Sequence, residues 1–439
     1  TGFAAAAKHR LRLKDDEPVA QTYRRISPSQ FHDVKEHIQK LLQKGIIEKS
    51  SSPYASPIVI CRKKSGEIRM CIDYRKLNAK TVRDSYPLPR IEECLDALGG
   101  AKFFSAMDLA SGFHQVAMEE NDKEKTAFTT PFGLFHFLRM PFGLTNSPAT
   151  FQRLMQSIFS EEIFKIMLVY IDDILVYSKT LPEHIQRLDK VFSRLGQQGL
   201  KLKPSKCHFF QREVSYVGHR VSDAGIATDP EKIAVVRDWP TPSTLKQLRS
   251  FLGFASYYRK YVHNFAQSAK PLNELVAKLS QKGKVRDAKV GKQWDSSCQE
   301  AFETLKGKLT TSPVLGFADY SKPFILETDA SFQGLGAVLS QEKDNGQKYV
   351  IAYASRGLRG SERNMRNYSS FKLELLALKW AVTEKFKDYL LGSKVVVYTD
   401  NNPLSYLQTS AKLGAIEQRW AGQLALYDKV PVWAEQQKC

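Results

Sequence analysis

Apolar residues recurring at helical spacing predict the first helix of the chain, over residues 28–44. Its apolar stripe consists of Phe31, Val34, Ile38, Leu41 and Leu42. A stripe of this kind packs on a core. Ser27 is the expected N-cap, and Gln30 would complete a capping box. Gly45 should end the helix.

Alternating apolar residues next predict a hairpin with a basic tip. Its strands would occupy residues 56–62 and 68–73, and the segment between them, Lys63-Lys64-Ser65-Gly66, combines turn-forming and basic residues. We therefore expect a positively charged turn at this point.

In the middle of the chain, segments typical of strands alternate with segments of helical periodicity. Residues 103–107 and 167–177 are rich in strand-forming apolar residues, whereas residues 148–159 and 182–197 follow a helical pattern. Such alternation is typical of an α/β or α+β fold.

The last third of the chain shows a meander of three strands followed by a helix, a strand and a further helix. The predicted strands are 324–328, 336–340, 349–355 and 394–399, and the predicted helix 369–387 precedes the fourth strand. This order indicates a small domain built on a mixed sheet.

Two changes in composition divide the chain into three predicted parts. The first change falls near residue 222, and the second is a basic, weakly apolar segment at 278–292 that resembles a connector. We therefore predict boundaries that separate residues 1–222, 223–290 and 291–439.

The middle part contains a helix with a capping box, Thr244 with Gln247. Basic residues between Lys246 and Lys260 are interleaved with Tyr257 and Tyr258. This pattern predicts contact with nucleic acid, and an ordinary solvated helix face is the alternative.

The overall charge points to a polyanionic partner. The 439 residues include 65 Lys and Arg against 46 Asp and Glu, a net charge of +19. No apolar run approaches the roughly 20 residues of a membrane span, so we expect no membrane partner. Six cysteines lie scattered without disulfide or zinc-ligand spacing, which favours an intracellular compartment. The start at Thr1, with no initiator methionine, leads us to expect a fragment, either cut from a polyprotein or made for expression.

Two adjacent acids, Asp172 and Asp173, interrupt an otherwise apolar run. A buried carboxylate costs several kcal/mol unless it is paired, protonated or bound to a cation. A tight hairpin turn is the alternative interpretation. If the strand that ends at Asp108 is a neighbour, three hard oxygen ligands converge, as Mg²⁺ prefers. Such a site is suited to two-metal phosphoryl transfer.

A second set of acids lies in the last third of the chain. Asp329 and Asp400 each follow an apolar strand, and Glu374 projects from the apolar face of the helix between them. The three acids would converge in a domain with this order of elements. A buried Glu374 satisfied by hydrogen bonds is the alternative.

Several stretches resemble the motifs of the Pol polyprotein of gypsy-type LTR retrotransposons (Metaviridae), which contains a reverse transcriptase and a ribonuclease H domain. Tyr170-Ile171-Asp172-Asp173 matches the YxDD signature of reverse transcriptases. The other matches are Ser105-Ala106-Met107-Asp108-Leu109-Ala110-Ser111-Gly112-Phe113, Arg139-Met140-Pro141-Phe142-Gly143-Leu144, Asn146-Ser147-Pro148-Ala149-Thr150-Phe151, Leu77-Asn78, Tyr86-Pro87-Leu88-Pro89 and Leu252-Gly253. Thr328-Asp329-Ala330-Ser331 and Thr399-Asp400-Asn401 resemble the ribonuclease H domain.

The resemblance implies a right-hand polymerase followed by a ribonuclease H-like domain. Fingers and palm would be interleaved over residues 1–222, a helical thumb and the connector would occupy 223–290, and a truncated or atypical ribonuclease H-like domain would occupy 291–439. It implies RNA-directed and DNA-directed synthesis of DNA from dNTPs on primer–template nucleic acid, including RNA/DNA hybrid. It also implies two Mg²⁺ ions per active site, with Mn²⁺ as a substitute. The protein would act as a monomer or homodimer in a cytoplasmic ribonucleoprotein, a virus-like particle or the nucleus.

The same resemblance assigns roles around the first site. Asp108, Asp172 and Asp173, with the Leu109 carbonyl, would hold the metal ions. Phe113 would exclude a 2′-hydroxyl, and a core aromatic is its alternative.

Nine further residues would bind substrate or primer. Lys64, Arg69, Phe142, Gly143 and Lys206 are assigned to substrate binding, and Tyr216, Val217, Gly218 and His219 resemble the primer grip. For Lys64 and Arg69 the alternative is a solvated turn, for Lys206 a surface lysine, and for the primer grip a plain strand and turn.

One departure from the family concerns the second domain, whose implied metal ligands are Asp329, Glu374 and Asp400. Family members carry a fourth metal-binding Asp after a last strand, and the tail after Asp428 does not match that ending. We therefore expect the last strand to be missing and ribonuclease H activity to be weak or absent.

Two other functions remain open from the sequence. A catalytically silent, host-adopted descendant would bind nucleic acid without extending a primer, and the intact acids disfavour it. An RNA-templated RNA polymerase is disfavoured by the aromatic Phe113.

Overall fold

The computed structural model describes residues 2–62, 68–281, 288–364, 368–399, 413–427 and 432–433. The chain divides into two compact units, Thr1–Val217 and Gly218–Cys439. Within the described ranges, no helix combines the length and the apolar character needed to cross a bilayer.

The first unit contains twelve described strands and five described α-helices. Its strands are β1 Ala4–His9, β2 Ile47–Lys49, β3 Ser56–Arg62, β4 Ile68–Ile72, β5 Phe103–Asp108, β6 Val116–Met118, β7 Phe128–Thr130, β8 Gly133–Phe137, β9 Met167–Tyr170, β10 Asp173–Ser178, β11 His208–Gln211 and β12 Glu213–Tyr216. Its helices are α1 Phe31–Gln43, α2 Arg75–Lys80, α3 Ile91–Asp96, α4 Ser147–Ile158 and α5 Leu181–Gln197.

A four-stranded antiparallel sheet in the order β11-β5-β10-β9 carries the first acids. The predicted run 167–177 is two strands joined by a tight turn. Helices α4 and α5 cover one face of this sheet with Phe151, Met155, Leu188 and Val191. Because the strands are buried, they appear in the sequence as nearly continuous apolar runs.

A second sheet of the first unit has the order β2-β8-β7-β3-β4, and α1 packs on it through Val34 and Ile38. The predicted capping box of α1 is wrong: Pro28–Gln30 forms a separate 3-10 turn, and the Ser27 hydroxyl pairs with that of Ser29 at 2.8 Å. Gly45 does end the helix, with the left-handed φ of 61° that glycine accepts most readily.

The second unit contains the remaining described elements. Its strands are β13 His219–Ser222, β14 Gly225–Thr228, β15 Phe324–Ser331, β16 Gly334–Glu342, β17 Lys348–Arg356, β18 Val395–Tyr398 and β19 Val432–Trp433. Its helices are α6 Pro230–Arg237, α7 Leu245–Tyr257, α8 Phe265–Ser268, α9 Lys270–Gln281, α10 Ser296–Thr310, α11 Ser370–Trp380, α12 Lys387–Leu390 and α13 Ala415–Leu424.

The large sheet of this unit has the order β17-β16-β15-β18-β19, with β15, β18 and β19 parallel. The expected absence of a last strand is wrong, because Val432 and Trp433 pair with Val397 and Tyr398. The predicted helix 369–387 is interrupted by a π-helical turn at Ala381–Lys385.

Helix α7 begins as predicted, with the Thr244 hydroxyl accepting a hydrogen bond from the Gln247 N–H. The basic aromatic pattern that follows is only partly available to a ligand. Tyr258 is buried, and the Arg259 guanidinium donates to the Ser355 carbonyl. Packing therefore uses part of a pattern that the sequence suggested for nucleic acid.

Candidate active site in the polymerase unit

Strand pairing brings the first set of acids to one end of the four-stranded sheet. Asp173 at the start of β10 lies directly opposite Asp108 at the end of β5. Asp173 also pairs with Tyr170, so Ile171 and Asp172 form a two-residue turn. The predicted convergence and the alternative of a hairpin turn are thus both present, because the turn is what carries the acids.

The turn is held by a side chain that the sequence analysis did not single out. Buried Gln152 of α4 accepts a hydrogen bond from the Ile171 N–H at 2.9 Å and donates one to the Val169 carbonyl at 3.3 Å. Ile171 has a φ of 58°, a costly conformation for a β-branched residue. The signal in the sequence that could have revealed this role is a polar residue within the apolar pattern of α4.

The acids lie at the open end of the sheet. Asp172 is half-buried and Asp173 is exposed, so the expectation of carboxylates inside a buried strand is wrong. Even so, loss of hydration and the neighbouring Asp172 and Asp108 carboxylates raise the pKa of Asp173 to about 6. Partial burial, together with Asp108, also raises the pKa of Asp172. The site therefore favours a neutralising cation.

Lys206 supplies one positive charge at this site. Its ammonium forms an ion pair with the Asp108 carboxylate, and that hydrogen bond raises the pKa of Lys206. Backbone bonds fix the segment beside β5, since the Lys203 N–H donates to the Asp108 carbonyl and the Ala110 N–H to the Lys201 carbonyl, both at 2.9 Å. Among the described residues, no group of three His, Cys, Asp or Glu side chains is arranged to hold a metal ion.

A cluster of aromatic rings lies next to the acids. Phe113 stacks on Phe142 with ring centroids 5.0 Å apart and lies 5.6 Å from Phe151. Phe142 is exposed, whereas Phe151 is buried. A Cβ on Gly112 would lie 3.4 Å from the Asp172 Cβ, so the turn before Phe113 packs directly against the acidic hairpin.

Two backbone positions shape the same region. Leu109 is buried and bridges to Leu202. Gly143 has a φ of 97°, and its carbonyl accepts a hydrogen bond from Asn78 at 2.8 Å. Gly143 thus occupies a conformation that other residues rarely adopt.

Little is described of the two residues predicted to bind the triphosphate. Lys64 lies outside the described residues, and Arg69 is described only as a residue of β4 opposite Cys61.

The four residues of the predicted primer grip form a strand end and a turn. Tyr216 and His219 are buried, while Val217 and Gly218 adopt left-handed φ values of 41° and 79°. The Gly218 carbonyl accepts a hydrogen bond from the Tyr258 hydroxyl at 2.7 Å. Of the four residues, only Val217 and Gly218 in the turn are partly exposed.

In the second unit, Glu374 is hydrogen-bonded to the backbone of the residue that follows Asp329. Asp329 is exposed within β15, which continues to Ser331, so Asp329 does not end the strand as predicted. Glu374 is 4% exposed, and one of its oxygens accepts a hydrogen bond from the Ala330 N–H at 3.0 Å. Asp400 and Asp428 lie outside the described residues.

A second buried polar network, which the sequence did not reveal, connects β5 to the neighbouring strand and helix. The His184 ring lies between the hydroxyls of Ser105 and Ser178, at 2.8 and 2.9 Å. It joins α5 to β5 and β10, the two strands that carry Asp108 and Asp173. Three polar residues in separate buried elements leave no periodic signal in the sequence.

Two protein-family models match the chain. The reverse transcriptase (RNA-dependent DNA polymerase) family matches residues 61–221, and the RNase H-like domain found in reverse transcriptase matches residues 294–397. Asp108, Asp172 and Asp173 fall within the first match, and Asp329 and Glu374 within the second.

Curated relatives align with nearly the whole chain. The retrovirus-related Pol polyproteins of the Drosophila melanogaster transposons 297 and opus are 39% and 40% identical, each over 430 residues. The alignments cover 97% and 96% of this chain but 39% and 42% of the relatives, so the chain spans about two-fifths of their length. The gypsy polyprotein is 38% identical over 95% of the chain and 40% of its own length.

Solved structures confirm the fold. The foamy viral protease-reverse transcriptase dRH in complex with double-stranded DNA aligns with 100% of this chain and 75% of its own, at a TM-score of 0.85 and 24% identity. The foamy viral protease-reverse transcriptase in complex with RNA/DNA hybrid aligns with 100% and 58%, at a TM-score of 0.76 and 24% identity. The predicted right-hand polymerase followed by a ribonuclease H-like domain is therefore confirmed. On the combined evidence of motifs, fold and relatives, the chain contains a reverse transcriptase domain and an RNase H-like domain, and it is similar over nearly its whole length to the retrovirus-related Pol polyproteins of transposons such as gypsy.

Proposed function

We propose that this chain is an RNA-directed and DNA-directed DNA polymerase that extends a primer with dNTPs. The observation that carries the proposal is the cross-strand pair of Asp173 and Asp108 beside the Asp172 turn, in a domain that matches the reverse transcriptase family. The foamy viral relatives in complex with double-stranded DNA and RNA/DNA hybrid support a nucleic-acid partner, as does the charge of +19.

The three carboxylates would hold the divalent ions on which this family generally depends. Asp108 and Asp172 would bind both ions, assisted by the Leu109 carbonyl, and Asp173 would complete the site. The raised pKa values of Asp172 and Asp173 fit this donor set, since a cation relieves their mutual repulsion. Two Mg²⁺ ions held by these residues, or Mn²⁺ in their place, would supply activation of the primer hydroxyl and charge neutralisation of the leaving pyrophosphate.

Lys206 has two tasks in this proposal. Its ammonium neutralises Asp108 in the structure described here and must leave that carboxylate when a metal ion binds. Once released from Asp108, a protonated Lys206 would give a proton to the pyrophosphate. The hydrogen bond to Asp108 raises the pKa of Lys206, so Lys206 carries its proton when it leaves that carboxylate.

The aromatic pair of Phe113 and Phe142 would lie under the sugar of the incoming nucleotide. The stacking of Phe113 on Phe142 and its contact with Phe151 restrict its movement, as a steric block against a 2′-hydroxyl requires. Lys64 and Arg69 would bind the triphosphate, with Gly143 shaping the pocket. The turn from Tyr216 to His219 would hold the primer.

Extension of a DNA primer on an RNA template tests this function. We expect extension with dNTPs and Mg²⁺, and much less with rNTPs. Equal use of rNTPs would favour an RNA polymerase. Retention of primer–template in a gel shift, with no extension in either Mg²⁺ or Mn²⁺, would favour the catalytically silent descendant.

We further propose that the second unit cleaves the RNA strand of hybrids weakly. The buried Glu374 beside Asp329, within the match to the RNase H-like domain, favours this second function, with Asp400 as the third acid. We expect slow cleavage of a labelled hybrid that Glu374→Gln abolishes while primer extension continues. Cleavage unchanged in Glu374→Gln would show that the assignment is wrong.

A further inference from the structure

A cavity of about 550 Å³ in the first unit is lined by an unusual number of basic side chains. Its walls are β1 with the segment that follows it, the loop before Tyr86, and helix α4. The basic lining residues are Lys8, Arg10, Arg12, Arg83 and Arg153, and the acidic lining residue is Asp84.

Three of these cations form a regular row. Exposed Lys8, Arg10 and Arg12 alternate with buried His9 and Leu11, as expected for an extended chain with one face on the core. Residues i and i+2 of such a chain are about 6.6 Å apart, so the row presents separate cationic groups along one wall of the cavity.

The opposite wall is rigid, and its single carboxylate is already neutralised. Arg153 donates two hydrogen bonds to Asp84, at 2.8 and 2.7 Å, and its guanidinium lies 4.6 Å from the centre of the Tyr86 ring. Asn146 fixes the loop by accepting from the Asp84 N–H and donating to the Val82 carbonyl. The wall is therefore formed before any ligand binds.

The remaining positive charge is only weakly balanced. Glu119 lies 3.7 Å from Lys8 and 3.4 Å from Arg10, both on exposed side chains, where such pairs contribute little. No ion-pair partner of Arg83 is found in the described part of the chain. A concave surface lined by one sign of charge concentrates anions of the opposite sign.

From this arrangement we infer that the cavity is a binding site for phosphate groups, carried by a single nucleic-acid strand or by a free polyphosphate. Guanidinium groups suit this ligand, because they donate paired hydrogen bonds to phosphate oxygens. Arg10, Arg12 and Arg83 supply such groups, while Arg153 is paired with Asp84.

The site is distinct from the carboxylate site. On α4 the lining residues Thr150, Arg153, Leu154 and Ser157 share one face, at helical spacings of three and four. Gln152, which holds the Asp172 turn, lies on the opposite face of the same helix. Phosphate binding in the cavity therefore does not depend on the proposed polymerase activity.

The test is equilibrium binding in the presence of EDTA, which keeps metal-dependent activity out of the measurement. The ligands are a short fluorescent oligothymidylate and, in a separate arm, inorganic tripolyphosphate. The variant Arg12→Glu/Arg83→Glu is compared with Lys35→Glu/Lys165→Glu, which changes net charge equally at exposed sites outside the cavity. Thermal melts confirm that each variant is folded, and Arg12→Gln/Arg83→Gln serves if charge reversal unfolds the chain.

We expect the cavity variant to bind oligothymidylate about tenfold more weakly than the control, with a log–log salt slope smaller by about 1.4 for two lost phosphate contacts. A parallel loss of tripolyphosphate binding would identify a site for isolated phosphates, and an unchanged tripolyphosphate arm would identify a site for a strand. Binding of both ligands equal to that of the control variant would overturn the inference.

Discussion

Among single residues, Gln152 supports the acidic turn most directly, and its loss has a defined consequence. Gln152→Leu removes the acceptor of the Ile171 N–H and the donor to the Val169 carbonyl. An unsatisfied buried group of this kind costs about 1–3 kcal/mol. Because the turn also places Asp172, we expect the rate of primer extension to fall by at least about tenfold.

The matched control for this prediction is Gln156→Leu, one turn farther along the same helix and half-buried. Single-turnover extension over a range of dNTP concentrations separates rate from affinity. Equal rates for the two variants would show that Gln152 does not position the turn.

His219 provides a prediction about pH. It is 2% exposed, and burial lowers its pKa to about 3. The unfolded chain takes up a proton on this ring below about pH 6.5, whereas the folded unit does not. The contribution of this residue to the free energy of unfolding of the second unit should therefore fall as the pH is lowered from 6.5 to 5, with a slope that approaches about 1.4 kcal/mol per pH unit towards pH 5.

Tryptophan fluorescence isolates this effect, since all five tryptophans lie at or beyond Trp239, in the second unit. Guanidinium unfolding at several pH values should give a shallower pH dependence for His219→Gln than for the wild type. The exposed His263→Gln is the control. If His219→Gln kept the full pH dependence, the ring would not be neutral in the folded unit.

At individual residues, the sequence predicted the chemical groups of the candidate site better than it predicted the backbone conformation that holds them. An acid pair inside the apolar run around Asp172 was enough to predict a cation site, because buried charge is costly. The sequence offered the tight turn only as an alternative, because Ile171 is a poor residue for a left-handed φ. That conformation is supported by Gln152, a tertiary contact that no local pattern reveals.

At the scale of elements, two helix starts with similar sequences behave differently. Thr244 accepts a hydrogen bond from the N–H of Gln247, whereas Ser27 forms no such bond to its helix. Thr244→Ala should therefore lower the free energy of unfolding by about 1 kcal/mol, and Ser27→Ala should have little effect. Thermal unfolding followed by circular dichroism measures both. A larger loss for Ser27→Ala would contradict the observed start of α1.

The periodic patterns located most elements well, and interruptions within elements were missed. Helix α5 was predicted to within a residue, because its apolar stripe is long and regular. The π-helical turn at Ala381–Lys385 and the strand β19 were not predicted. A π-turn retains helix-forming residues, and a two-residue strand is defined only by its partner β18.

For the whole molecule, the net charge predicts a class of partner but not where that partner would bind. The charge of +19 predicted a polyanion, but Arg259, which the sequence assigned to nucleic acid, is used within the second unit. A basic cavity in the first unit instead includes Lys8, Arg10 and Arg12, none of which belongs to a recognised motif. A row of alternating basic residues lines a cavity only when another part of the fold lies opposite it, and that arrangement cannot be seen in the sequence.

The central claim is that the Asp108, Asp172 and Asp173 cluster extends a primer on an RNA template. The most direct measurement compares Asp172→Asn with Asp16→Asn, which alters the exposed acid pair near the start of the chain. Loss of a metal-binding carboxylate should lower the extension rate by orders of magnitude, whereas Asp16→Asn should extend like the wild type. Extension by Asp172→Asn at the rate of Asp16→Asn, with both proteins folded, would show that this cluster is not the active site.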